Sequence, residues 1–233
     1  MADNPEQQEV APYDALRSPD DATQADARSE GFAVIDATGI RTVTLADRYE
    51  DIRSFELNPA VPHSVRVHFE TAKNLYLYSW FVYRFYPVAE QQALTSLEFA
   101  LRERLLQDIE AGKGKRKIRG LAARLQLARE LGLIRNEGLK IRERLAMRST
   151  RARHEFETLE EMIRTGVTEM VLDDSNIQPN EQDFNGDWIG TFVESLPKIR
   201  NQYAHGSGML HPMVLGRFEI VCDLINQLYP NEG

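Results

Sequence analysis

Residues 188–207 read WIGTFVESLPKIRNQYAHGS. Trp188, Ile189, Phe192, Val193, Leu196, Ile199 and Tyr203 recur at helical spacing, which predicts a long helix with one apolar face. That face ends in a polar cluster of Arg200, Asn201 and His205, and Gly206 supplies a stop. Pro197 removes one backbone bond inside the helix and is expected to bend the segment that delivers Arg200. A guanidinium is a permanently charged fork for phosphate oxygens. An imidazole is the side chain most easily poised to move protons near neutral pH.

Spacing alone does not make a site, since Arg148 and His154 stand at a similar separation. Context separates the two pairs. Arg200 is followed by Asn201 and closes an apolar helix; Arg148 is followed by Ser149 in a dense basic run, and is read as a decoy.

LPKIRNQYAHG resembles the signature of the HEPN domains, all-helical bundles marked by an Arg, a polar residue and then a His that completes a spacing of four to six residues. Arg200, Asn201 and His205 fall on the three matching positions. The segment 93–105, ALTSLEFALRERL, resembles the earlier bundle helix in which many such proteins carry a Glu, here Glu98. The resemblance spans roughly residues 66–230. It implies metal-independent RNA cleavage in many members and non-catalytic binding or scaffolding in others. It also implies a homodimer with a composite site, and it suggests a toxin or defence setting with an antitoxin or other partner protein.

Outward from that helix, charge is unevenly spread. Residues 1–30 carry eight acids against two arginines, and residues 112–153 carry fourteen bases against three acids. Residues 154–233 are acidic again, with fourteen acids and four bases. The basic segment reads as a polyanion-binding surface or as the counterpart of the acidic C-terminal third, and both readings stay open. If it meets RNA, Lys113, Lys115, Arg116, Lys117, Arg119 and Arg124 are the candidate contacts. AGKGKRKIRG (111–120) lacks the spacing of a phosphate-binding loop and reads as a basic connector.

The expected organisation is an acidic disordered tail over 1–30, a β-hairpin and linker over 31–63, and a helical domain over 64–233 with a basic helical insertion at about 112–165. The tail is too poor in large aliphatics to offset its ordering entropy. GFAVIDATGIRTVTLA (31–46) places two β-branched runs around an Ala-Thr-Gly turn, and such a hairpin should pack on the helical body. An aromatic-rich helix is expected from Ser64 to Tyr86, as core or subunit interface rather than base-stacking platform. A second, Val88 to Asp108, carries a seam of Leu94, Leu97, Leu101 and Leu105. Glu98 there reads first as an ion pair with Arg102, and second as an acid that orients Arg200.

A third helix should turn Ile118, Leu121, Leu125 and Ala128 inward and leave Lys115, Arg119, Arg124 and Arg129 available outward. LQLARELGLI (125–134) resembles the first half of a DNA-reading helix-turn-helix, but Gly138 stands where an aliphatic belongs. Leu139–Arg164 reads as a helix whose basic start and acidic end oppose the helix dipole. Asp173–Asp187 reads as a solvated loop, and the last helix should begin near Pro212.

No metal-ligand pattern or acyl-nucleophile motif occurs, so no metal and no cofactor is expected. Cys222 is alone and reads as a core residue. The N-terminus lacks the pattern of a signal peptide, and no run is long enough to span a bilayer, so a cytoplasmic protein without membrane contact is expected. The mechanism that fits is RNA cleavage by its own 2′-hydroxyl, with His205 as acid or base, Arg200 neutralising the phosphorane and Asn201 orienting, Tyr203 being a weaker contact. The competing readings are a non-catalytic helical interaction protein and a DNA-binding regulator using residues 113–153.

Overall fold

The computed structural model of the chain describes residues 10–37, 39–110, 118–205, 208 and 210–231. It is mostly helical, a helical bundle with a two-stranded antiparallel hairpin near the N-terminus. The helices are α1 (Leu45–Arg53), α2 (His63–Tyr78), α3 (Phe85–Glu110), α4 (Gly120–Glu130), α5 (Arg142–Thr165), the short α6 (Glu181–Phe184), α7 (Trp188–Ala204) and α8 (Leu215–Leu228). No helix among the described residues is long and apolar enough to cross a membrane. Two compact units divide the chain: Met1–Arg104 with Lys198–Gly233, and Leu105–Pro197.

In the first unit, α2 turns Val65, Phe69, Ala72 and Tyr76 inward at helical spacing. The seam read in α3 is real: Leu94, Leu97 and Leu101 are fully buried. From α8, Phe218 packs on Phe69 and Tyr76, each with ring centroids 6.0 Å apart. Asn226, buried on α8, ties down the loop before α2. It accepts the Asn58 amide N–H at 2.7 Å and donates to the Glu56 carbonyl at 3.0 Å. Cys222 is buried in the same stripe, as expected.

The aromatic stretch does not form one helix from Ser64 to Tyr86. It breaks at Ser79, whose hydroxyl donates to the Tyr76 carbonyl, and resumes at Phe85. Pro87 therefore neither ends nor kinks a helix. It sits in the first turn of α3, where its missing N–H costs nothing.

The break is held from a distant part of the chain, and this corrects the tail as well. Residues 10–30, too polar to promise order, are held in place by ion pairs. Asp26 is fully buried. Its amide donates to the Trp80 carbonyl at 2.9 Å, and its carboxylate accepts the Tyr83 N–H at 3.2 Å. Arg28 binds Asp26 at 2.8 Å and Asp14 at 3.0 Å, and lies over the Tyr83 ring. Arg84 closes on Asp14 at 2.5 Å. Burial pushes the Asp26 carboxyl up, but Arg28 and the two backbone N–H groups outweigh it and hold it below the usual range. Residues 1–9 lie outside the described residues.

The hairpin pairs β1 (Ala33–Asp36) with β2 (Gly39–Thr42), Ile35 opposite Ile40. It packs less than expected. Phe32, just before it, stacks on Tyr83 and under Arg48, while Ile35 and Ile40 stay exposed.

In the second unit, α4 buries Leu121, Leu125, Leu127 and Ala128 and ends in a Schellman turn. Leu133 N–H reaches the Ala128 carbonyl at 2.9 Å, and Gly132 takes the positive φ of 68° that this turn demands. A single 3₁₀ turn (Asn136–Gly138) follows, and α5 starts only at Arg142. The compact second helix of a helix-turn-helix is not there. The 173–187 stretch is more than a loop. It contains α6, where the Asp183 carboxylate accepts from Thr150 at 3.0 Å and from Arg153 at 2.7 Å. The last helix begins at Leu215, three residues past Pro212, which precedes the helix instead of opening it.

Candidate functional site

Asp187 begins α7, accepting the Gly190 amide N–H at 2.9 Å in its first turn. Ile189, Phe192 and Leu196 are buried and Val193, Ile199 and Tyr203 half-buried, so the apolar face runs as the spacing demands. The helix continues through Pro197 to Ala204.

At its end, Arg200 extends towards α3, with Nη2 3.3 Å from Glu98 Oε2. Its Nη1 stands 3.4 Å from Asn201 Oδ1. The contact with Arg200 that the second reading of Glu98 requires is present. Arg102 lies over the Phe99 ring instead and approaches Glu103 at 3.8 Å. A half-exposed ion pair contributes at most about 1 kcal/mol, so its effect is on where the guanidinium points. Arg200 keeps 39% of its side chain exposed, enough to meet a phosphate.

His205 follows in an exposed turn, and its N–H still donates to the Asn201 carbonyl at 3.0 Å. Helical bonding thus persists from Arg200 to His205, and local unwinding does not bring them together. Five residues of helix rotate about 140°, so within one chain the two side chains leave the axis in different directions.

Tyr203 has a more specific place than a weak contact. Its hydroxyl donates to Glu90 Oε2 at 2.6 Å and lies 3.2 Å from His211 Nε2. Arg217 Nε donates to the other Glu90 oxygen at 2.8 Å, and His211 Nε2 is 3.6 Å from Glu90 Oε2. Glu90 is 1% exposed. Burial, then the bond to Glu90 and its charge, push the Tyr203 hydroxyl far above the ordinary phenol range. Tyr203 on α7, His211 in the following segment and Arg217 on α8 thus converge on one carboxylate of α3. They flank His205 on both sides in the chain. Sequence reading missed Glu90, His211 and Arg217. The available signal was an acid at a core position, Glu90 between Tyr86, Ala89 and Ala93 in a buried stripe.

Of the basic contacts, Lys113, Lys115, Arg116 and Lys117 lie outside the described residues. Arg119 is exposed just before α4. Arg124 is half-buried with its Nε enclosed. Arg129, Arg151 and Arg153 pair with Asp187, Asp174 and Asp183 at 2.9, 3.6 and 2.7 Å. Part of the basic segment is therefore matched internally by the acidic third.

No family model matches the chain, and no curated protein or solved structure does either.

Proposed function

We propose that the chain is a metal-independent endoribonuclease of HEPN type, acting on RNA as a homodimer. The observation that carries this is Arg200, aimed by Glu98 and half-exposed, one turn before an exposed His205 at the same helix end. RNA supplies its own nucleophile. One imidazole removes the 2′-hydroxyl proton, the O2′–P bond forms, and Arg200 offsets the charge that gathers on the phosphorane oxygens. The P–O5′ bond then breaks and the 5′-oxygen takes a proton, leaving a 2′,3′-cyclic phosphate and a 5′-hydroxyl. Asn201 beside Arg200 orients the guanidinium or the strand. The divergence of Arg200 and His205 along α7 favours a site completed by the second copy. The reading extends to a toxin or defence role held in check by an antitoxin.

RNA incubated with purified protein in EDTA tests the chemistry. Metal-independent fragments ending in cyclic phosphate support it. Binding without cleavage supports the second reading, a non-catalytic interaction protein, which the exposure of Phe156, Leu159 and Ile163 on α5 also favours.

A further inference from the structure

The second half of α5 carries an apolar seam that the described residues leave exposed. Phe156, Leu159 and Ile163 are 59%, 53% and 74% exposed. With Ala152 and Ser149, also exposed, they recur at alternating steps of three and four, the spacing of a two-helix seam. The opposite side, at Ala146 and Thr150, is the one α5 buries in its own unit. Helical bonding ends only at Gly166, whose φ of 71° stops the helix, and Val167, Val171 and Leu172 beyond it are exposed too. A contiguous apolar strip of this kind marks an interaction surface.

We propose that this seam is a homodimer interface in which two copies of α5 pair antiparallel about a two-fold axis. Flanking charge selects the partner and its direction. Counting Phe156 and Ile163 as one core position and Ala152 and Leu159 as the other, the residues beside the seam are Arg148, Arg153, Glu155, Glu160 and Met162. A parallel pair would oppose Arg148 to Arg153 and Glu155 to Glu160 of the second copy, like charge on like charge twice over. The antiparallel pair that sets Phe156 on Leu159, and Ile163 on the small Ala152, brings Arg153 towards Glu160 at both ends and Glu155 towards Met162. Arg153 keeps its bond to Asp183 in this arrangement, its side chain being 35% exposed. The same pattern accounts for a helix that is basic at its start and acidic at its end, against its own dipole. Self-complementarity of this kind, residue i on j and j on i, is what a two-fold interface requires. The inference does not rest on the reading of Arg200 and His205.

Sedimentation of the full chain over a micromolar range tests it, beside Leu159→Glu and Ile163→Glu. Both positions are exposed, so the variants should keep the wild-type circular dichroism. The wild type should sediment as a dimer, and each variant should weaken it by roughly tenfold or more, because a carboxylate would be driven into an apolar seam. A wild-type monomer throughout, or a dimer that both variants leave intact, overturns the proposal. Direction is read by oxidative crosslinking: Ala152→Cys mixed with Ile163→Cys should form the linked dimer, and Ala152→Cys alone should not. Efficient self-linking of Ala152→Cys overturns the antiparallel arrangement. Sedimentation is read without RNA: a dimer that both variants leave intact removes this interface alone, a wild-type monomer removes the composite site with it but leaves metal-independent cleavage to its own assay, and loss of cleavage leaves this proposal standing.

Discussion

Tyr203→Phe removes one hydroxyl and leaves the ring packed. What is lost is the 2.6 Å bond to Glu90. A hydrogen bond to a charged group is worth about 1.5–3 kcal/mol, and the half-buried setting of Tyr203 points to the lower part of that range. No cavity opens, so no packing penalty adds to it. Glu90, 1% exposed, keeps Arg217 on its other oxygen and cannot turn to water, so the loss is not recovered by solvation. A cost of about 2 kcal/mol in a chain of this size corresponds to a melting-temperature drop of roughly 4–8 °C. Circular dichroism melts near neutral pH read it directly. Glu90→Gln and the double variant close the cycle: since both substitutions disable one bond, their effects should fall short of additive by about 0.5–3 kcal/mol. A Tyr203→Phe protein that melts with the wild type, or strictly additive costs, would refute the hub at Glu90.

Other expectations are more local. Asp183 is held at about 2 by Arg153 first, then by the Asn180 N–H, against an ordinary value of 3.8. A depressed carboxyl stabilises the fold above its unfolded value, and that contribution is lost as pH falls through the folded one. Asp183→Asn should therefore flatten the pH dependence of stability between about 4 and about 2, measured by denaturant melts; an unchanged slope there sinks the assignment. Asp26→Asn should loosen residues 10–30 from the 79–84 turn and speed tryptic cleavage after Arg17 and Arg28, whereas an unchanged digestion rate would mean that packing alone holds the segment. Neutralising Lys113, Lys115, Arg116 and Lys117 together should weaken RNA binding and reduce its salt dependence; an equal salt slope would place the RNA elsewhere. His154→Ala should leave cleavage within a few-fold.

Periodicity made much of this fold legible. The seams of α3 and α7 and the pairing of the two β-branched runs follow from local pattern, and the structure places them within a few residues. What local pattern could not show are features fixed by residues far apart in sequence. Nothing near Ser79 announces that Asp26 will cap the turn after it, and composition made residues 10–30 look too polar to fold because an ion-pair clamp has no hydrophobic signature. The same limit applies at the candidate site. Arg200 and His205 stood out as a motif, and the Glu98 partner followed from resemblance. Glu90 could be found only by asking why an acid occupies a core position, and its partners Tyr203, His211 and Arg217 are separated from it by more than a hundred residues. Arg124 is half-buried because helical phase places it at the edge of the buried face, where a long side chain turns either way.

The most direct measurement is cleavage of a mixed RNA pool in EDTA by the wild type, Arg200→Ala and His205→Ala, with fragment ends characterised. Truncating these side chains should cost little packing, since Arg200 is half-exposed and His205 exposed, so all three proteins should share one melting profile. The wild type should give metal-independent fragments bearing 2′,3′-cyclic phosphate, and neither variant should give any. Equal cleavage by a folded variant, or no cleavage by the wild type, would contradict it.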